Sequence, residues 1–353
     1  MNLEEVRNKI DRVDIELLNR LHLRTELALL AKRLKGGYVV DEEREKQVLE
    51  NVKRTSRRLV DSSFSERLYL QIIEESRRIQ TQEHRLAGFQ GEHGAFSEQA
   101  LEAFNPELVP IPCLEFMDVF AGVENGFFDY GIVPVENSLE GGIHEVNHIL
   151  TETELKIVGE ILFPIHHCLL APPEMNYHEI RAVYSHPQAL AQCRSFLARH
   201  KFEAKPYYDT AGAARWLAAE KPHGAAVIAG RLASELYGLE IIKENIEYHP
   251  VNKTRFVVLS AEALKEKGNK CSITFTTPHK AGALSGILNV FAGAGINLTR
   301  VESKPVRDNP EMWTFLLDFQ GRDDDERVVG VLDNVREKTS SFRHLGCYPE
   351  GKK

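Results

Sequence analysis

From Leu3 the chain places an apolar residue every three or four positions, and Leu3, Val6, Ile10, Val13 and Leu17 fall on one face of a helix. Continued by sevens, the same seam reaches Arg24 and Ala31, with Leu27 between them. Asn2 with Glu5 forms a capping box at the start and Gly36-Gly37 ends the run. At about 1.5 Å per residue this helix is roughly 50 Å long. Residues 1–84 are too few to cover it, so it should pair with another chain. A second helix opening near Asp41 carries Asp41, Arg44, Glu45 and Val48 on one face. A third opens at Ser63, with Glu66 three residues on, and brings Tyr69, Ile72, Ile73, Ser76 and Gln80 together.

After His84 the period changes. Leu86 to Gln90, Tyr130 to Val135, Ala182 to Ser185 and Ala225 to Ala229 are short apolar runs, each followed by a Gly turn or a polar string. Between them lie stretches with helical spacing, such as the one from Ser97 onward. This alternation predicts an α/β unit with largely parallel sheets, whose ligands bind beyond the carboxyl ends of the strands. The polar strings that fall there are Glu136-Asn137-Ser138 and Ser185-His186-Pro187-Gln188. From Lys270 a third pattern follows: strand 272–276, helix 282–291, strands 297–302 and 313–319, helix 328–337, and a short strand near Cys347. That β-α-β-β-α-β order predicts a ferredoxin-like module. The domains expected are therefore 1–84, 85–262 and 270–350.

The helical segment carries the first chemical signal. Arg7, Arg24, Lys35 and Arg44 lie on the inward edges of the helices with Asp41, Glu45, Ser76 and Gln80, and Arg24 sits within the apolar seam itself. Inward-facing cations are costly unless paired, so an excess of them points to a polyanionic ligand. The alternative is a dimerisation bundle whose charges form surface pairs.

Composition narrows the partners. The 353 residues carry a net charge of −8, which disfavours nucleic acid and anionic membranes, and the amphipathic N-terminus does not read as a signal peptide. Cys113, Cys168, Cys193, Cys271 and Cys347 form no metal or disulfide spacing and are expected as reduced thiols of a cytoplasmic protein. His144-Glu145-Val146-Asn147-His148 has the spacing of a helical zinc site, yet no third ligand stands out downstream. In His166-His167-Cys168, strand neighbours point to opposite faces, so core or cleft packing is expected.

Residues 1–84 resemble the all-helical chorismate mutases, and residues 86–260 resemble prephenate dehydratase. The second likeness rests on the Gly91-to-Ser97 turn, Pro134 to Ser138, His166 to Leu170, Tyr184 to Gln188 and Asn252-Lys253-Thr254-Arg255-Phe256. Gly282-Ala283-Leu284-Ser285 and Glu302-Ser303-Lys304-Pro305 resemble the two amino-acid-binding strings of ACT domains, with lysine at a position where arginine is usual. The order of the three segments resembles the bifunctional family that joins them. The resemblance implies that Arg7, from the partner subunit, and Arg24 clamp the carboxylates of chorismate. Lys35 and Gln80 would then address the ether oxygen and Glu45 the ring hydroxyl, with Asp41, Arg44 and Ser76 completing the shell.

For the dehydratase the resemblance implies a periplasmic-binding-protein-like pair of α/β lobes. Thr254 would act at the leaving hydroxyl and Arg255 on a carboxylate, with Glu136, Asn137, Ser138, His186, Gln188 and Thr210 lining the cleft. Because Asp209 to Ala214 replaces the Ser/Thr-rich string found in part of the family, the choice between prephenate and arogenate stays open. The resemblance further implies L-phenylalanine as effector at an ACT dimer interface, a homodimer, and no metal or organic cofactor. Two rivals remain: a dehydratase whose helical segment is only a dimerisation arm, and an amino-acid-responsive binding protein without catalysis.

Overall fold

A computed structural model of the protein describes residues 2–173, 175–249, 251–263, 268–307 and 309–351. The chain divides into two compact units, 1–85 and 86–353.

The first unit is three helices: α1 (Leu3–Leu34), α2 (Glu42–Thr55) and α3 (Ser62–Thr81). Gly36 and Gly37 end α1 with φ of 63° and 97°, conformations that a β-carbon would oppose. At the start of α1 the Asn2 carbonyl accepts from Val6 N, while the side chain of Glu5 lies outside the described residues. Asp41 caps α2 by accepting from Arg44 N. The cap of α3 is Asp61 and not Ser63, since Asp61 Oδ1 accepts from Phe64 N at 2.8 Å. Glu66, read as half of a capping box, instead pairs with Lys53. The apolar seam of α1 stays bare: Ile10, Val13 and Leu17 are each more than half exposed.

The second unit begins with a lobe made of β1 (Leu86–Gln90), α4 (Phe96–Phe104), β2 (Val109–Cys113), α5 (Phe116–Glu124), β3 (Tyr130–Asn137), β4 (Gly141–Gly142), α6 (His144–Leu150) and β5 (Lys156–Pro164). A second lobe follows with β6 (Cys168–Ala171), β7 (Ala182–Ser185), α7 (Pro187–Gln192), α8 (Arg194–His200), β8 (Glu203–Pro206), α9 (Thr210–Glu220), β9 (Ala225–Ala229), α10 (Arg231–Tyr237) and β10 (Glu240–Lys243). The chain then returns to the first lobe as β11 (Lys253–Ser260). The strand orders are β2-β1-β3-β11-β5 and β10-β6-β9-β7-β8. Both sheets are mixed, which corrects the expectation of largely parallel ones. β11 re-enters the first lobe antiparallel to both β3 and β5, because the chain comes back from the other lobe and not through a crossover helix. Strands such as β9, with all five residues buried, are packed on both faces, at about 1.5–3 kcal/mol for each large apolar side chain.

The last module is β12 (Lys270–Pro278), α11 (Ala283–Gly293), β13 (Leu298–Val306), β14 (Asn309–Gln320), α12 (Glu326–Lys338) and β15 (Ser341–Tyr348). Its antiparallel order β13-β14-β12-β15 is the ferredoxin-like arrangement expected, with Phe275, Ile287, Phe291, Phe319 and Val331 in its core. Cys271 and Cys347 lie directly opposite each other across β12 and β15 and form a disulfide. They are therefore not free thiols. The two residues are 76 positions apart, so only the strand pairing shows them as partners. Cys113, Cys168 and Cys193 are free and buried, and burial pushes the thiols of Cys113 and Cys168 up to about 12 and about 11.

Candidate active sites and effector site

Between the two lobes lies a cleft of about 390 Å³ lined by Asn137, His167, His186, Gln188, Gln192, Thr210 and Thr254. A larger cavity of about 630 Å³ opens near His166 and Arg231. Its charges are spent on each other, as Arg231 pairs with Glu244 and His166 with Glu247, and it carries none of the strand-end strings. The smaller cleft is the candidate site.

Thr254 and Asn137 face each other across β11 and β3. The Asn137 oxygen accepts from Leu139 N and Glu140 N, which fixes the amide so that its Nδ2 donates to Thr254 Oγ1 at 3.0 Å and to Asn252 Oδ1 at 2.9 Å. Thr254 thus accepts from the protein and keeps its own proton for a ligand. Asn252 Nδ2 donates to Gln192 Oε1, which also accepts from His167 Nε2 at 2.8 Å, while Gln192 Nε2 donates to Glu140. The imidazole of His167 is therefore held as the Nε2–H tautomer, and its buried Nδ1 has no partner. Gln192 and Asn252 were not among the expected site residues. Gln192 lies one helical turn beyond Gln188 on the same helix, and that spacing was the available signal.

Of the expected cleft residues, His186 and Thr210 line the cleft, whereas Arg255, Glu136 and Ser138 fall elsewhere. Arg255 is on the opposite face of β11 from Thr254, buried against Glu160 and Asp318, because adjacent strand residues alternate sides. Its assignment to a substrate carboxylate is corrected on that ground. Glu136 lies opposite Arg255 in the ladder, out of phase with Asn137, and does not line the cleft. Ser138 accepts from Lys253 N and donates to Val251 O, so it ties two loops together. His186 caps α7 by accepting from Gln188 N. Thr210 opens α9 behind its cap Asp209, whose carboxyl is pushed up by burial.

No lysine or arginine lines the cleft among the described residues. The first turn of α4 does line it, through Ala95, Phe96 and Ser97, and has no side-chain cap. Its free N–H groups offer a carboxylate site.

Burial holds the His167 imidazole below its ordinary range, against the smaller opposing pull of Gln192 and Glu247. The unfolded chain takes up this proton near pH 6.5, and the folded chain only at lower pH. Stability from this residue is thus present above about pH 6.5 and lost as the pH falls. His344 is depressed by burial in the same way and adds to the slope. His167→Gln should flatten the fall in melting temperature between about pH 7 and pH 5 relative to wild type. Equal slopes in the two proteins would remove the basis for this assignment.

In the helical unit Arg24 is half-buried on α1 and donates to Ser76 Oγ at 2.5 Å. Gln80 donates to the Ala28 carbonyl from α3. Lys35 pairs with Asp41 at 2.6 Å, and Arg44 and Arg7 are exposed. Glu45, expected at the ring hydroxyl, is held by the forked guanidinium of Arg77, a residue that was not anticipated. Among the described residues no carboxylate pairs with Arg24.

In the last module Gly282 caps α11 at φ 87°, with open space around it, next to Ala283 and Ser285, while Leu284 packs on the core. On β13, Glu302 and Lys304 share one face, and exposed Ser303 and Pro305 lie on the other. Lys304 is engaged by His148 and lies 3.7 Å from Glu152, so one histidine of the zinc-like string holds the lysine of the effector string. Glu302 reaches the Gly142 turn, where an added β-carbon would come within 2.5 Å of its Oε1.

Three family profiles match the chain in succession. The chorismate mutase type II profile matches residues 6–81, the prephenate dehydratase profile residues 87–264, and the ACT domain profile residues 272–337. Two enzyme folds and a regulatory module are joined in one chain. A bifunctional chorismate mutase/prephenate dehydratase of Aquifex aeolicus (strain VF5) is 34% identical over 99% of this chain and 98% of its own length. A chloroplastic arogenate dehydratase/prephenate dehydratase 2 of Arabidopsis thaliana is 38% identical over 74% of this chain and 72% of its own. The structure of a prephenate dehydratase from Arthrobacter aurescens in complex with L-Phe superposes with a TM-score of 0.70 at 32% identity, covering 75% of this chain and 90% of that one. The chain belongs to the family of bifunctional chorismate mutase/prephenate dehydratases, and its matched segments account for both catalytic activities and the ACT module.

Proposed function

We propose that residues 1–84 rearrange chorismate to prephenate, that 85–262 convert prephenate to phenylpyruvate, and that 270–350 bind L-phenylalanine as feedback inhibitor. The observation that carries the dehydratase reading is the Asn137–Thr254 pair, which leaves one hydroxyl proton free for a cleft that no lysine or arginine lines among the described residues. In the reaction the bond between the ring and its carboxylate breaks and its electrons enter the ring. The ring hydroxyl leaves with a proton relayed through Thr254, and carbon dioxide and water are released. Aromatisation supplies the driving force. A departing carboxylate loses its charge, so a cleft without lysine or arginine avoids over-stabilising the ground state. The other carboxylate suits the uncapped start of α4.

The mutase step needs no nucleophile or base. Arg24, held by Ser76, and Arg7 of a second copy would clamp the two carboxylates, while Lys35 and Gln80 meet the ether oxygen. The bare seam at Ile10, Val13 and Leu17 supports a homodimer, since a second copy would cover it and complete the site. Among the described residues no helix is long and apolar enough to cross a membrane, which fits the proposed cytoplasmic location.

Glu145 and Asp209 line the cleft and favour a second reading, because an acidic pair would suit the ammonium of arogenate. Purified protein given chorismate should form prephenate and then phenylpyruvate, with L-phenylalanine suppressing the second step. Accumulation of prephenate alone would defeat the dehydratase reading. Preference for arogenate in a competition assay would establish the second one.

A further inference from the structure

Resting on the dehydratase reading above, we propose that Arg255 is a positioning residue. It locks β11 into a buried ionic cluster shared with the ACT module, and this sets the Thr254 hydroxyl in the cleft and carries the state of the module to it. Arg255 donates from Nε to Glu160 at 2.6 Å, from Nη1 to Asp318 at 2.6 Å and from Nη2 to the Tyr348 hydroxyl at 3.0 Å. Glu160 belongs to β5 in the catalytic lobe. Asp318 and Tyr348 belong to β14 and β15. The other two strands also contribute, because Lys270 on β12 donates to Glu160 at 3.0 Å and Arg300 on β13 lies 3.7 Å from Asp318. Each strand of the ACT sheet thus ends in one cluster beneath the catalytic strand.

Such a cluster is a poor source of stability, since desolvating its charges offsets most of what their attraction returns. What it does provide is register. The ladder of β11 with β3 slips between Arg255 and Phe256, leaving Val135 without a ladder partner next to the Arg255–Glu136 pair and two residues along β3 from Asn137. Bulges next to active sites re-aim side chains. Both cations of the cluster nearest this bulge grip it: Arg255 lies on the bulged ladder, and Arg300 donates to the Val135 carbonyl at 3.3 Å. Arg300 shares β13 with Glu302 and Lys304 of the effector string. A shift of β13 on effector binding therefore pulls on the bulge and on Asp318 together.

The test uses the full-length protein and two shape-preserving changes outside the cleft, Asp318→Asn and Tyr348→Phe, together with Arg255→Lys and Arg255→Gln. Misplacing a reacting group by about 1 Å can lower the rate by up to about 100-fold. The expected result for Asp318→Asn is a loss of that order in dehydratase kcat, with prephenate KM within about twofold of wild type. The L-phenylalanine concentration for half inhibition should shift, and mutase turnover should stay unchanged. Tyr348→Phe should show the same pattern more weakly, and Arg255→Lys should recover part of what Arg255→Gln loses. Folded variants that keep wild-type kcat and phenylalanine response would overturn the inference, as would a change confined to KM or a loss explained by the unfolded fraction alone. Wild-type protein without dehydratase activity would defeat the underlying reading as well, whereas active wild type with an unaltered Asp318→Asn variant defeats this inference only.

Discussion

Thr254→Ala should lower phenylpyruvate formation by about 10²–10⁴-fold, the usual range for a positioned proton donor. At about 1.4 kcal/mol per factor of ten this corresponds to roughly 3–6 kcal/mol of transition-state stabilisation. The expectation rests on direction. Asn137 donates to Thr254 Oγ1, and its own amide is fixed by the Leu139 and Glu140 N–H groups, so the threonine proton has to point elsewhere. The remaining direction is the cleft. Thr254→Val keeps the β-branched shape that suits the strand, and should be as inactive as alanine if the hydroxyl is what matters. Thr254→Ser should recover part of the rate. Turnover of prephenate in single-turnover and steady-state assays separates these outcomes, and mutase turnover on chorismate should be intact in all three proteins. Near-normal kcat for the valine variant would end the assignment and leave Thr254 as an ordinary β-strand residue.

In the helical segment the faces of the helices were legible, because periodicity in a helix specifies a face. Arg24, Ser76 and Gln80 could be placed on facing edges of α1 and α3 from spacing alone, and Arg24 and Ser76 do meet. The grip of Arg77 on Glu45 was not legible, since a single arginine within a charged helix has many partners within reach. For the two lobes, short apolar runs and turn residues marked the strands, but no local pattern distinguishes a strand that enters its sheet from the other lobe. That is why β11 was not foreseen as antiparallel. The face of Arg255 was legible as well, because its neighbour Thr254 can face the cleft only if Arg255 does not. Cys271 and Cys347 become partners only once β12 and β15 are paired, which depends on the whole module folding.

Arg24→Ala should reduce chorismate mutase kcat/KM by about 10²–10³-fold, the scale of removing one pre-organised donor from a charge-stabilising site. Dehydratase turnover on supplied prephenate should not change, because residues 1–85 and 86–353 form separate compact units. Arg24 is half-buried with the neutral Ser76 hydroxyl as its partner, so its charge is not already neutralised and stays available to a substrate carboxylate. A surface-pair role for the helices predicts the opposite, with no loss on removing it. The same variant tests where Arg7 acts. If each site combines Arg24 of one protomer with Arg7 of the other, a hybrid of Arg24→Ala and Arg7→Ala protomers contains one intact site and one doubly altered site. Random re-assortment of equal amounts then restores about a quarter of wild-type mutase activity. If both arginines belong to the same protomer, every site in the hybrid lacks one of them and mixing restores nothing. The bare apolar seam of α1 favours the first outcome, since the chain that covers it brings its own Arg7 alongside.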